Sequence, residues 1–243
     1  MRYQFVDCRW ALDDPALGQA QYLAGHIPGA SFLDVAHDLS DLTRTGEGRH
    51  PLPTAEQFAE AASRAGIGEG VFVVAYGSMA GAERLWWLLR HFGHDACGVI
   101  DLAAWRGPLA EGEEPITAAT FVPAERDDDV IARDALAQTL DRHVIVDARL
   151  PPRYRGEPNP VDAYPGRIPG ALNAPWNEPL PDLPSRRPRR LLRIRHHRMR
   201  RPPQAAPRGA RQPSLPRLVV RLGADRPPAR LRLGRERNGF GRL

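Results

Sequence analysis

The chain writes one pattern twice. Near its start Phe5-Val6-Asp7-Cys8-Arg9 leads to Gly25-His26-Ile27-Pro28-Gly29-Ala30, and later Val146-Asp147-Ala148-Arg149 leads to Gly166-Arg167-Ile168-Pro169-Gly170-Ala171. The offset is 140 residues from Asp7 to Asp147 and 141 from Gly25 to Gly166, so the two copies stay in register to one residue. A repeat of this period is the size of a domain, and it restricts a chain of 243 residues to a duplicated fold.

Each copy has its own physical reading. A short apolar run ending in Asp-x-Arg is a buried strand reaching a polar edge. Ile-Pro-Gly-Ala fixes φ at proline and frees it at glycine, which predicts a tight turn into another short strand. In the first copy, Tyr3–Cys8 reads as a strand, Pro15–Ala24 as a polar helix or loop, and Ser31–Asp34 as a short strand. Leu42–Pro53 is too polar to be core. Thr54-Ala-Glu-Gln57 is a capping-box signature opening a helix to about Ala65, closed by Gly66. Val71–Tyr76 has the apolar faces of a central parallel strand. Ala82–Phe92 reads as a helix burying Leu85, Trp86, Leu88 and Leu89, and Ala96–Asp101 as the next strand. Alternation of this kind predicts an α/β fold with a parallel sheet flanked by helices.

The segment 111–129, rich in Pro, Glu, Asp and Ala, reads as a linker between a first domain over 1–110 and a second beginning at 130. There Arg133–Leu140 is a short helix, His143–Ala148 a strand, Arg153–Pro165 a polar loop and Ile168–Asn173 the turn and second strand. After residue 185 the pattern stops, leaving 130–185 as the N-terminal half of a second domain. No helix, central strand, loop or Trp-Trp helix of the first copy is repeated, so this half-domain is expected to expose a sheet edge and to be poorly soluble.

The strand–Asp-x-Arg motif and Gly-(His/Arg)-Ile-Pro-Gly-Ala, each written twice, resemble the two-domain rhodanese sulfurtransferases. That family includes the thiosulfate and 3-mercaptopyruvate sulfurtransferases. The block Arg84-Leu-Trp-Trp-Leu-Leu-Arg-His-Phe-Gly-His94 and Val99-Ile-Asp-Leu-Ala-Ala-Trp105 look like the same family's first domain, and the resemblance covers residues 1 to 185. It implies tandem rhodanese-like domains, the first catalytically silent and the second incomplete. It also implies transfer of sulfane sulfur from thiosulfate or 3-mercaptopyruvate to a thiol or cyanide through a cysteine persulfide. A small-molecule donor and a thiol acceptor are then the partners, with no metal and no organic cofactor.

In that family the second domain's cysteine opens the loop after the central strand, where backbone N–H groups and a helix N-terminus favour the thiolate. Here the first-domain loop, Tyr76-Gly-Ser-Met-Ala-Gly81, has no cysteine, and the second-domain loop would fall in the tail, which has none either. The catalytic nucleophile is expected to be missing. Cys8 aligns with Ala148 and reads as a packed core position, as does Cys97 at the start of an apolar strand. A hydroxyl at Ser78 cannot form a persulfide. Arg153, in Arg-Tyr-Arg-Gly, matches the arginine the family uses to hold the donor's anionic end, and Arg155 is a stand-in for it. The family's second arginine falls near Val161, beyond Pro158-Asn-Pro160. Asp7 with Arg9, and Asp147 with Arg149, read as structural pairs holding the turn at the sheet edge. His26 has Arg167 as its counterpart, which argues against catalysis there, and Trp86, Trp87 and Trp105 read as packing.

Charge divides the chain where the pattern stops. Residues 1–185 carry 15 Arg and 27 Asp plus Glu, net −12, and residues 186–243 carry 19 Arg and 2 acids, net +17; there is no lysine. Eight prolines and one aromatic, Phe240, stand in this tail. Three readings fit it: a GC-rich frame read out of phase near residue 185, an arginine-rich arm with weak affinity for nucleic acid or another polyanion, or a diverged domain. Composition favours the first, and disorder is expected for either of the first two. The near absence of aromatics argues against a single-strand stacking platform. Two cysteines and no CxxC suit a reducing compartment. No secretory leader is evident and no apolar run nears the roughly 18 residues of a membrane span, so a cytoplasmic location away from membranes is expected.

Overall fold

The computed structural model describes residues 2–45, 48–78, 80–160 and 165–181, together with the backbone of two strands, Leu191–Ile194 and Val220–Leu222. The described residues fall into two compact units, the chain up to Ser40 with Pro53–Glu125, and Asp41–Leu52 with the described residues from Arg126 to Leu222.

The first unit is built on four parallel strands in the order β2-β1-β3-β4: β1 Arg2–Asp7, β2 Ser31–Phe32, β3 Val71–Tyr76 and β4 Cys97–Val99. Three helices accompany them, α1 Leu17–Ala24, α2 Ala55–Arg64 and α3 Gly81–His91. Thr54 caps α2 as its sequence requires, its hydroxyl taking the Gln57 N–H while the Gln57 side chain takes the Thr54 N–H. Gly66, at φ +77, closes that end of the chain in a conformation costly for any other residue. On α3 the fully buried tryptophan is Trp87; Trp86 is half-exposed, with the Arg90 guanidinium 5.1 Å above its ring. Leu85, Leu88 and Leu89 are buried as the helical spacing predicts.

The segment 107–125 belongs to this first unit and packs along it. Ala110 and His26 exchange both backbone hydrogen bonds at 2.9 Å, Gly112 N–H reaches Leu23 O, Ala119 N–H reaches Ser63 O, and Ala124 N–H reaches Phe92 O. Phe121 is buried edge-on to Phe58. Two carboxylates of this strap sit beside buried histidines, Glu114 at 3.5 Å from His26 and Glu125 at 3.5 Å from His91.

The second unit holds a sheet ordered β5-β9-β8-β6-β7, comprising β5 Val130–Ile131, β6 Val144–Asp147, β7 Leu172–Asn173, β8 Leu191–Ile194 and β9 Val220–Leu222. Helices α4 Arg133–Ala137 and α5 Pro151–Arg155 are short. Two expectations are corrected here. The start of the expected loop is helix α5, begun by two prolines at positions where a missing N–H costs nothing and ended by Gly156 at φ +82. The second sheet also has a strand beside β6: β8 pairs with it in parallel, Ile194 opposite Asp147, as Tyr76 lies opposite Asp7. The run Leu-Leu-Arg-Ile sits among arginines and prolines, which hid its strand character in the sequence. The remainder of the tail, and with it the expected disorder, lies outside the described residues.

The written repeat is a geometric one. Arg9 donates from Nε and Nη2 to the Asp7 carboxylate at 2.5–3.1 Å and from Nη2 to Gly25 O at 2.7 Å. Arg149 does the same to Asp147 at 2.7–3.0 Å and to Gly166 O at 2.6 Å. Each arginine therefore ties the end of its strand to the loop that returns 16 or 17 residues later. Ala30 N–H closes on Ile27 O at 2.9 Å with Gly29 at φ +76, and Ala171 N–H on Ile168 O at 3.1 Å with Gly170 at φ +78. Both are proline-glycine turns of the kind that demands positive φ at the glycine. Tyr22 and Tyr154, one helix earlier, donate their hydroxyls to Ala30 O and Ala171 O at 2.8 and 2.7 Å.

Near Asp7 the first unit holds one thiol and two phenols in their protonated form. Burial raises the Cys8 thiol well above its ordinary value, with the Asp7 carboxylate adding to the effect, and burial raises the Tyr22 and Tyr76 phenols.

Two outcomes are expected. Arg149→Ala leaves a buried Asp147 unpaired and should cost the second unit about 3–5 kcal/mol, as Arg9→Ala should cost the first. Hydrogen exchange resolved by segment reads which unit opens, and equal protection in wild type and variants would remove the clamp's structural role. The unfolded chain releases thiol and phenol protons near 9.0 and 10.0 while the folded first unit retains them. Stability is therefore full below about pH 9 and declines as pH rises further, which urea titrations in steps from pH 7 to 11 would measure.

Candidate functional site

In a parallel sheet the reactive groups gather where the strands end at their C-terminal edge. In the first unit that edge is closed. The loop after β3 runs from Gly77 through Ser78 to Ala80, which takes the left-handed conformation at φ 67, and enters α3 at Gly81. It lies directly on the chain leaving β1. A Cβ built on Gly81 would come within 2.1 Å of the Cys8 carbonyl oxygen, and one on Gly77 within 2.6 Å of it. The Ser78 hydroxyl donates to Trp10 O at 3.0 Å and takes the Trp10 N–H at 3.3 Å. A carbonyl oxygen facing the start of α3 occupies the position that an anion would need, so this edge has neither space nor potential for a thiolate or an oxyanion donor.

The two cysteines lie in packed surroundings. Cys8 is fully buried, and its raised thiol stays protonated at neutral pH. Cys97, at the start of β4, is half-buried with its sulfur 3.5 Å from His94 O and 3.8 Å from Trp86 O. Both contacts are those of a weak S–H donor toward carbonyl oxygens.

In the second unit the same edge carries cations. Arg149 is spent on Asp147 and Gly166. Arg153 stands half-buried in the middle of α5, and Arg155, exposed at its end, is paired with Glu157 at 2.7 Å. Arg167 lies flat over Tyr154, its guanidinium carbon 4.6 Å from the ring centre. Asn173 braces the exit of β6 from the other side, donating to Asp147 O at 3.0 Å and Arg149 O at 2.8 Å. The loop after β8, where a nucleophile would stand, lies outside the described residues, as does Val161.

One feature was missed in the sequence. The polar loop Asp41–Leu52 of the first repeat belongs to the second unit. Asp41 is only 5% exposed, and its carboxylate takes the Thr43 N–H and hydroxyl. No periodicity in that polar stretch marks its placement. His26 and Arg167 are counterparts in space as in sequence, each stacked on the tyrosine of the preceding helix. Among the described residues no cluster of His, Cys, Asp and Glu could hold a metal, and no helix is long and apolar enough to cross a membrane.

Comparison with known proteins agrees with this architecture. A family model for the rhodanese-like domain matches residues 1–104. A Mycobacterium tuberculosis protein assigned as the thiosulfate sulfurtransferase SseB is 39% identical over 189 residues, covering 73% of this chain and 66% of that one. Human 3-mercaptopyruvate sulfurtransferase is 38% identical over 192 residues, covering 72% and 63%. The chain thus spans slightly less than two thirds of these relatives' length. The crystal structure of SseA from Escherichia coli, whose fold is described as rhodanese, superposes with a TM-score of 0.63 at 34% identity, covering 72% of this chain and 69% of that one. A strand–Asp-x-Arg clamp made twice, the parallel sheet it serves and these matches lead to one assignment: the chain belongs to the rhodanese family of sulfurtransferase relatives.

Proposed function

We propose that this chain has the donor-binding apparatus of a thiosulfate or 3-mercaptopyruvate sulfurtransferase and does not itself transfer sulfur. In the reaction of that class a cysteine thiolate attacks the outer sulfur of thiosulfate, the S–S bond breaks, and sulfite leaves with its electron pair. With 3-mercaptopyruvate the C–S bond breaks and the pyruvate enolate takes up a proton. Either route leaves a persulfide that a thiol or cyanide then accepts. Both donors present an anionic end, for which a guanidinium fork is suited. Arg153, half-buried on α5, is the group for that task by its match to the family's motif, with Arg155, exposed at the end of the same helix, as the stand-in.

The observation that carries the reading is the state of the two thiols. Cys8 is sealed and protonated, Cys97 is packed against carbonyls, and the sequence contains no third cysteine. The matched relatives share about 73% of the chain, which supports a change of reading frame beyond residue 185 as the origin of the departure. Sequencing the coding DNA over codons 178–195 tests this. A missing or extra base should restore a strand, a cysteine-led loop and a helix, whereas an intact frame would make β8 the native partner of β6. The polyanion-binding role of the arginine-rich tail rests on residues outside those described. Heparin retention no stronger than that of residues 1–185 would remove it.

Two further measurements bear on the chemistry. After treatment with thiosulfate at pH 7–8, intact-mass spectrometry should show no added sulfur atom, and iodoacetamide should leave Cys8 unmodified until the protein is unfolded. A persulfide on either cysteine would overturn the proposal. Arg153→Ala should weaken thiosulfate or pyruvate binding, read by calorimetry, by about tenfold or more, the size of one lost charge-assisted hydrogen bond. Unchanged binding would exclude Arg153 as the donor's anchor.

A further inference from the structure

The two copies of the Ile-Pro-Gly-Ala turn differ in what covers them. In the first unit the turn holds a segment of chain. Ala110 exchanges both backbone hydrogen bonds with His26, and four residues later Glu114 takes the Gly29 N–H on its Oε1 at 2.8 Å, 3.5 Å from His26 Nε2. His26 is itself held by Tyr22, stacked on its ring at 4.1 Å and hydrogen-bonded through Nδ1 to Tyr22 O at 2.8 Å. Since a carbonyl only accepts, Nδ1 carries the proton. The arrangement is a carboxylate site made of a turn N–H and a ring stacked on tyrosine, with a backbone bridge alongside.

The second unit has the same parts. Tyr154 anchors its hydroxyl on Ala171 O as Tyr22 does on Ala30 O. Arg167 takes the place of His26, stacked on the Tyr154 ring at 4.6 Å with Nη1 3.5 Å from Tyr154 O. Gly170, at φ +78, presents its N–H as Gly29 does at φ +76. The exposure pattern along the two turns matches except where the strap lies. Gly25 and His26 are buried, whereas Gly166 is half-buried and Arg167 exposed. Among the described residues, neither the Arg167 backbone nor the Gly170 N–H has a hydrogen-bond partner, and no carboxylate pairs with the Arg167 guanidinium.

We propose that the Gly166–Ala171 turn is a docking site for an extended acidic segment of a partner protein. The segment bridges to the backbone of Arg167 and, four residues on, places a carboxylate between Arg167 and the Gly170 N–H. The first unit shows this binding mode with its own strap. The second replaces histidine with a permanently charged fork, which recognises a carboxylate more strongly. Arg167 is exposed and, among the described residues, has no carboxylate beside it, so the anion that complements it is left for a partner to supply.

The test uses the full chain and a synthetic peptide of its own residues 107–118, whose mode of binding is known from the first unit. With isotope-labelled protein, the peptide should shift the backbone amides of Arg167 and Gly170. Arg167→Ala should weaken binding by about tenfold, as should Glu114→Gln in the peptide, the loss expected for one charge-assisted contact. Arg142→Ala, which removes another exposed charge from the same unit, should leave binding within about twofold, the range of a screened surface charge. The proposal fails if Arg142→Ala and Arg167→Ala weaken binding equally. It also fails if shifts appear only at His26 and Gly29, as exchange of the first unit's strap would give, or if no amide shifts at millimolar peptide.

Discussion

The arginine at the end of each first strand is the interaction on which everything else in its unit depends. A parallel strand ends with its last carbonyls unpaired and its neighbour arriving from a distant part of the sequence, so something must fix where the returning loop crosses. Arg9 and Arg149 do so with one rigid fork, binding the strand's own aspartate on one side and the loop carbonyl of Gly25 or Gly166 on the other. A lysine could not, because its single ammonium has no planar pair of donors. The aspartate's desolvation is offset only while the fork is in place, which is why the pair acts as a structural unit and its members are unavailable to a ligand.

This dependence explains which features were legible in the sequence. The clamp, the proline-glycine turn and the Thr54 capping box are local patterns whose geometry follows from a few adjacent side chains, and strands β1, β3 and β6 lie within a residue or two of their expected limits. The strap was not legible. Its Pro, Glu and Ala composition resembles a linker, and what holds it is backbone hydrogen bonding to His26, Leu23, Ser63 and Phe92, residues 32 to 89 positions away. Long-range backbone pairing leaves no periodicity in the strand that receives it. The same is true of Asp41–Leu52, whose membership of the second unit is a matter of tertiary placement. The candidate site was legible only as a resemblance: Arg153 is named by the family's motif, while its place on a helical turn depends on the Pro-Pro start of α5, just before the segment that reads as a loop.

The edge of the first unit shows how tightly a loop can lie on a neighbouring strand. The loop after β3 passes so near the β1 exit that two glycines are required beneath the Cys8 carbonyl. A thiol placed at Gly77 would meet that backbone. Any side chain there meets an oxygen at 2.6 Å, and the carbonyl dipole opposes the thiolate.

Duplication then separates two tasks that one copy would have to combine. In the first unit the turn, its tyrosine and its histidine are consumed by the strap, and Tyr22, Cys8 and Tyr76 are held protonated in a sealed interior. In the second the equivalent turn keeps its N–H groups and a guanidinium at the surface, the guanidinium lying over Tyr154, the neighbour of Arg153 on α5. Exchanging histidine for arginine at a single position is enough to reverse the use of the site. An imidazole can be covered by a neighbouring segment, as the strap covers His26, whereas a guanidinium resists burial unless an anion comes with it. The second copy therefore stays open until a partner supplies that anion.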